Sequence, residues 1–183
     1  FLKNNIDFEK KKIILFTGHR RENFGDGFES IFSSLSKLMK ERNDITIVYP
    51  VHPNPNVKLM AEKYFNNNEN IKLISPLSYG PFIWLLKKSH IILTDSGGIQ
   101  EEAPSLGKPV LVLREATERP EAVEAGTVIL VGTNKEKIFN WVNSLLNNPE
   151  LYEKMSGLIN PYGDGKASDR IINYFNDLNL KNE

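Results

Sequence analysis

The 183-residue sequence has no cysteine. Disulfides, thiolate metal sites and cysteine nucleophiles are therefore excluded. It also has no excess of charge of either sign: 23 Lys and Arg stand against 23 Asp and Glu, and the pI is near 7. Such a chain has no basic field with which to recruit nucleic acid. Its one basic run, Lys10-Lys11-Lys12, reads as the solvated approach to a strand. Long hydrophobic runs are missing too, and every apolar stretch falls far short of the roughly 20 residues of a membrane helix. The lack of cysteine fits a cytoplasmic protein, and the chain shows no signal-peptide pattern. It begins at Phe1 rather than Met, so an upstream part is expected to be absent from it.

Familiar catalytic signatures are also lacking. Ser96 is not set in a G-x-S-x-G elbow, which argues against a hydrolase triad with His19 and Asp95. There is no H-E-x-x-H, no Cys–His cluster and no G-x-x-x-x-G-K-[ST], so neither a zinc site nor a nucleotide-hydrolysing P-loop is expected.

What remains is a regular alternation. Short apolar runs at 12–17, 45–49, 71–74, 90–93, 110–113 and 127–131 read as strands buried on both faces. Helical spacing recurs between them: Phe28, Ile31, Phe32, Leu35, Leu38 and Met39, then Ile138, Phe139, Val142, Leu145 and Leu146. Asp26 and Glu29 offer a capping box for the first of these helices. Pro81 and Pro120 suit helix starts, and Pro104 should shorten or kink the helix that holds it. Further helices are expected over 56–65, 149–155 and 167–178. The Asn-rich patches, Asn66 to Asn70 and Asn147-Asn148, read as loops. Strand–helix alternation from end to end predicts an α/β fold, a Rossmann-like doubly wound parallel sheet of about six strands, with no internal linker.

Ligands of such sheets bind beyond the carboxyl ends of the strands, and the loops there carry the candidate chemistry. After the fourth strand comes Thr94-Asp-Ser-Gly-Gly. Ser96 can cap the following helix, and Gly97 and Gly98 allow close approach to backbone N–H groups that favour an anion. Glu101 or Glu102, one turn further, offers a carboxylate suited to a vicinal diol. The plainer alternative is a capped helix with two solvated glutamates. After the first strand, His19, Arg20 and Arg21 suit a diphosphate or a reacting sugar, since Arg binds phosphate bidentately and His moves protons near neutral pH. His52 lies in a proline-stiffened loop after the second strand, and His90 at a strand start reads as structural. Arg119 follows the fifth strand and can reach the same cleft. Phe82 can stack on a base, although a core role is commoner for Phe.

Six stretches carry a family resemblance: Thr17-Gly-His-Arg-Arg-Glu-Asn, Pro50-Val-His-Pro-Asn-Pro, Leu93-Thr-Asp-Ser-Gly-Gly-Ile-Gln-Glu-Glu-Ala-Pro, Gly107-Lys-Pro-Val-Leu-Val-Leu-Arg, Thr117-Glu-Arg-Pro-Glu-Ala and Asn160-Pro-Tyr-Gly-Asp-Gly-Lys-Ala-Ser. Together they resemble the non-hydrolysing UDP-N-acetylglucosamine 2-epimerases, in order and over nearly the whole chain. The resemblance implies a GT-B-type two-domain enzyme of which residues 1–183 are the C-terminal, UDP-binding domain. The N-terminal domain and its acidic catalytic residues are absent, so the isolated chain is expected to be inactive. By the same resemblance Ser96, Gly97 and Gly98 hold the diphosphate, Glu102 binds the ribose, Phe82 and Leu77 line the uracil pocket, and Arg119 adds charge. His19 assists the departure of UDP, while Arg20 and His52 match a second, activating UDP-N-acetylglucosamine site. The implied reaction eliminates UDP to give 2-acetamidoglucal and adds it back with inversion at C2, without metal or redox cofactor. The implied partners are UDP and UDP-N-acetylglucosamine, with a homodimeric full-length protein, no nucleic acid and no membrane. The alternatives are a donor-binding domain of a GT-B glycosyltransferase, a non-catalytic UDP-sugar-binding module and, as a variant, a hydrolysing epimerase.

Overall fold

Five of the six residues of the first strand, β1 (Lys12–Thr17), are buried, because helices cover both faces of the sheet it centres. The computed structural model describes residues 6–65 and 68–180; Asn66 and Asn67, read above as part of a loop, lie outside the described residues. The remaining strands are β2 (Ile45–Pro50), β3 (Ile71–Ile74), β4 (Ile91–Thr94), β5 (Val110–Val112) and β6 (Val128–Leu130). All pair in parallel in the order β3-β2-β1-β4-β5-β6. The order reverses between β1 and β4, which is the topological switch point where ligands of doubly wound sheets bind.

Alternation along β1 divides the core. Ile14 and Phe16 face one way, towards α1 (Asp26–Glu41), α2 (Pro55–Phe65), α6 (Lys135–Asn147) and α7 (Pro149–Ser156). Ile13 and Leu15 face the other, towards α3 (Tyr79–Lys88), α4 (Gly97–Ser105) and α5 (Pro120–Glu124). The period of two is that of a strand, and the result is three layers, helix on sheet on helix. Every apolar residue expected on the α1 face is buried. Asn134 and Asn148 cap α6 and α7 by accepting the N–H groups of Lys137 and Leu151. Asn148 is thus a cap as well as a loop residue, which satisfies an otherwise orphaned helix amide. Pro81 and Pro120 lie in first turns, and α4 ends one residue after Pro104.

The capping box is not formed. Gly25, at φ 81°, holds the N-cap position, so Asp26 already lies inside α1 and makes no cap bond. Glu29 turns instead to Lys63 of α2 at 2.9 Å. The first loop also contains a 3-10 turn over Arg21–Asn23 that its polar composition does not betray.

The last helix, α8 (Ala167–Leu180), differs from the others. Ile171, Ile172, Tyr174 and Phe175 are each 55–62% exposed. Among the described residues, no helix is long and apolar enough to cross a membrane.

Candidate functional site

The switch point is built on Asp95, the residue that follows β4. Its side chain has no exposed surface. One carboxylate oxygen, Oδ2, accepts the backbone N–H of His19 at 2.9 Å, that of Arg20 at 2.8 Å and the Nδ2–H of Asn23 at 3.3 Å. The loop after β1 is thereby fastened to the end of β4. Asn23 also donates to the Leu113 carbonyl beyond β5. Two hydroxyls stitch the same edge: Thr17 donates to Thr94, and the Ser96 amide donates to Thr94 Oγ1. The buried Tyr49 hydroxyl donates to the Gly18 carbonyl at 2.7 Å. Burial, with the Asp95 charge close by, pushes that phenol above its ordinary range.

Beside this seam α4 begins, at the same end of the sheet. Ser96 sits at the N-cap but makes no side-chain cap bond. The first-turn amides of a helix lack intrahelical acceptors, and here Ser96 and Gly98 reach the surface while Gly97 is buried. The two glycines differ. A Cβ on Gly97 would lie 3.1 Å from the Arg119 guanidinium, so its missing side chain makes room for that cation. A Cβ on Gly98 would meet nothing within 4 Å, and Gly98 is exposed. Arg119 is therefore the residue that packs on Gly97, while Gly98 is the open approach to the backbone.

The two glutamates of α4 also separate. Glu101 is taken: its carboxylate accepts Arg119 Nε–H at 2.6 Å, and its carbonyl accepts Asn160 Nδ2–H. Glu102 is half-buried, and its side chain makes no hydrogen bond or ion pair among the described residues. Gln100, wholly buried, donates to the Ser96 carbonyl and accepts from Thr117, tying α4 to the loop after β5.

That loop is braced by a residue the sequence did not single out for a role. Arg114, 8% exposed, donates to Glu22 at 2.6 Å and forks onto both oxygens of Glu118 at 2.7 and 3.0 Å. The pair raises the guanidinium's pKa further, and the Arg114 hydrogen bond holds the Glu118 carboxyl down at about 2.

His19 and His52 come together because β1 and β2 are neighbours: their rings stack at 5.2 Å, 10° from parallel. The Asn54 amide donates to His52 Nδ1 at 3.2 Å. His19, Arg20, His52, Ser96, Gly97, Gly98 and Arg119 thus line one end of the sheet. Leu77, on the β3–α3 connection, and Phe82, in the first turn of α3, are half-buried against the second core layer, each with a face left open. His90 lies at the opposite end of the strands. It stacks on Tyr152 at 4.0 Å, and burial together with Lys12 and Lys108 lowers its pKa to about 4, consistent with a structural role. Among the described residues, no cluster of three or more His, Asp or Glu side chains is arranged to hold a metal ion.

A parallel sheet in this strand order, with a helix start lacking a side-chain cap at its reversal, defines a Rossmann-like doubly wound domain. The chain belongs to the UDP-N-acetylglucosamine 2-epimerase family, whose model matches residues 2–176. It is 57% identical over 162 residues to the UDP-N-acetylglucosamine 2-epimerase of Escherichia coli (strain K12), covering 88% of this chain and 43% of the relative. It is 54% identical to the Bacillus subtilis (strain 168) enzyme of the same name, over 88% of this chain and 42% of that one. A UDP co-structure of S. aureus MnaA superposes with a TM-score of 0.89 at 48% identity, covering the whole of this chain and 53% of that one. The UDP-GlcNAc 2-epimerase of Neisseria meningitidis, solved with UDP-GlcNAc bound, gives 0.86 at 51% identity, over 91% and 45% of the two chains. The chain spans about half the length of the relatives it matches. Two glycosyltransferases, at 20% and 22% identity, share the fold alone, so the glycosyltransferase alternative is not favoured.

Proposed function

We propose that this chain is the C-terminal, nucleotide-binding half of a two-domain enzyme that interconverts UDP-N-acetylglucosamine and its C2 epimer, UDP-N-acetylmannosamine. The observation that carries the reading is the facing pair at the sheet reversal: the open N-terminus of α4 on one side and His19 with Arg20 on the other. Membership of the epimerase family supports it, as do relatives solved with UDP and with UDP-GlcNAc.

The chemistry assigns this half a defined task. The C2 hydrogen of the sugar is not acidified by a carbonyl, so direct deprotonation is unfavourable. Loss of that proton is instead coupled to breaking the C1–O bond: the C–H electrons form a C1–C2 double bond, and UDP leaves with the C1–O pair. Return of the proton to the other face of C2, with UDP rejoining C1, gives the epimer. The departing diphosphate gathers negative charge, which preorganised donors stabilise. In our reading the Ser96 hydroxyl and the Gly97 and Gly98 amides receive that charge, with Arg119 above Gly97. His19 donates to the leaving oxygen. Glu102, free of competing partners, takes the ribose hydroxyls, and Leu77 and Phe82 flank the base. Arg20 and His52, beside His19, form the edge of a second, activating UDP-sugar site. The acids and bases acting at C2 come from the other half, and the apolar face of α8 packs against it. The complete protein is a cytoplasmic homodimer in this reading.

The test is to incubate the full-length protein with UDP-N-acetylglucosamine in D2O and follow the product by NMR. Epimer carrying deuterium at C2 is the expected result. Release of free sugar, transfer to an acceptor, or epimer with no deuterium would overturn the reaction assigned here.

A further inference from the structure

Asp95 does more than fasten a loop. Its Oδ2 carries three donors, yet its Oδ1 is buried without a hydrogen-bond partner. His19 Nδ1 lies 3.4 Å from that oxygen, beyond a good hydrogen bond, on a side chain that is 41% exposed and has room to turn. A buried carboxylate oxygen is costly to leave unmet, and a small rotation of the imidazole satisfies it.

We propose that Asp95 is the positioning residue of this site, holding Nδ1–H of His19 so that Nε2 is presented to the cleft. The proposal rests on the reading that His19 faces the leaving diphosphate. With Nδ1 engaged, a protonated His19 has a single donor left, Nε2–H, aimed outward at the departing oxygen. After transfer, the neutral ring keeps its proton on Nδ1 and its lone pair on Nε2, ready to take a proton back in the reverse step. The backbone bonds to His19 and Arg20 fix the main chain, so one buried carboxylate sets both the position of the loop and the tautomer of its imidazole.

The stacked partner makes the assignment sharper. His52 Nδ1 receives an N–H from Asn54, so neutral His52 carries its proton on Nε2. The two parallel rings are thus backed by opposite groups, an acceptor behind His19 and a donor behind His52. His52 presents a donor to the cleft and neutral His19 an acceptor.

Ring-nitrogen NMR on this chain, labelled at histidine and held at a pH where both imidazoles are neutral, tests this. The expected spectrum places the proton of His19 on Nδ1 and that of His52 on Nε2. Asp95→Asn keeps an oxygen for the His19 and Arg20 amides but turns an NH2 towards Nδ1, and it should switch His19 to the Nε2–H form while leaving His52 unchanged. Wrong-tautomer substitutions of this kind elsewhere leave geometry intact. His19 found as Nε2–H in the unaltered chain overturns the proposal even if the variant does not fold, and so does a tautomer that Asp95→Asn fails to switch. A parallel UDP titration of the unaltered chain separates the two readings: absent binding counts against the nucleotide site, whereas the tautomer result judges Asp95.

Discussion

Replacing Glu102 by Ala should weaken UDP binding while leaving the fold as stable as before. In the unliganded chain this carboxylate is half-buried yet bonds to no described residue, so no folded-state interaction is lost. Ala is also the better helix former, and substitutions at such sites stay within about 0.5 kcal/mol of stability. Hydrogen bonds from a ribose diol to a charged acceptor are worth about 1–3 kcal/mol, or roughly 5- to 150-fold in Kd. The neighbouring position supplies the control. Glu101 is held by Arg119 at 2.6 Å, so Glu101→Ala frees the guanidinium that sits over Gly97 and perturbs the anion end of the site rather than the ribose. Calorimetric titration with UDP and with inorganic pyrophosphate distinguishes the two. Glu102→Ala should lose UDP affinity and leave pyrophosphate binding unchanged, whereas Glu101→Ala should alter both. A Glu102→Ala chain that binds UDP as tightly as the parent would refute the ribose assignment, and a large loss of thermal stability would refute the claim that Glu102 is unengaged.

Three further outcomes follow from the geometry. Arg114→Ala should cost about 1–2 kcal/mol of stability, since it removes charge-assisted bonds but leaves Glu22 and Glu118 half exposed and able to hydrate; unchanged denaturant midpoints would count against the brace. Stability should also fall as pH drops from about 6.5 towards about 4, because His90 is neutral in the fold while the unfolded chain takes up a proton over that range. His90→Phe should flatten that part of the profile, and an identical slope in the variant would remove His90 as its source. Finally, Ile172→Glu and Phe175→Glu on α8 should leave the thermal stability of this chain unchanged, as both side chains are more than half exposed; hydrogen exchange in α8 as slow as in the sheet, in a monomer, would contradict that exposure.

The sheet and its helices were legible because strands covered on both faces must be apolar throughout, as at Ile13 to Phe16, and because α1 repeats Phe28, Ile31, Phe32 and Leu35 at helical spacing. The start of α4 was legible from Ser96-Gly-Gly between a strand and a helix. Strand order was not, since pairing of β1 with both β2 and β4 is set by contacts far apart in sequence. The stacking of His19 on His52 depends on that order and was hidden with it. Asp95 was read as an unlikely triad member. Its real position, a buried acid that fastens the loop after β1, is a matter of burial that one sequence does not display. Glu101 and Glu102 were indistinguishable as types, and only the placement of Arg119 separates them. The capping box failed because Gly25 takes a positive φ and shifts the helix start by one residue.

The central claim is that the end of the sheet between β1 and β4 binds UDP. Amide NMR of the labelled chain during a UDP titration tests it directly, because it reports both affinity and place. Saturable shifts centred on His19, Ser96, Gly97, Gly98 and Glu102 are the predicted result. Absent shifts, or shifts gathered instead in the groove of about 350 Å³ between Val51, Lys58 and Pro76, would contradict it.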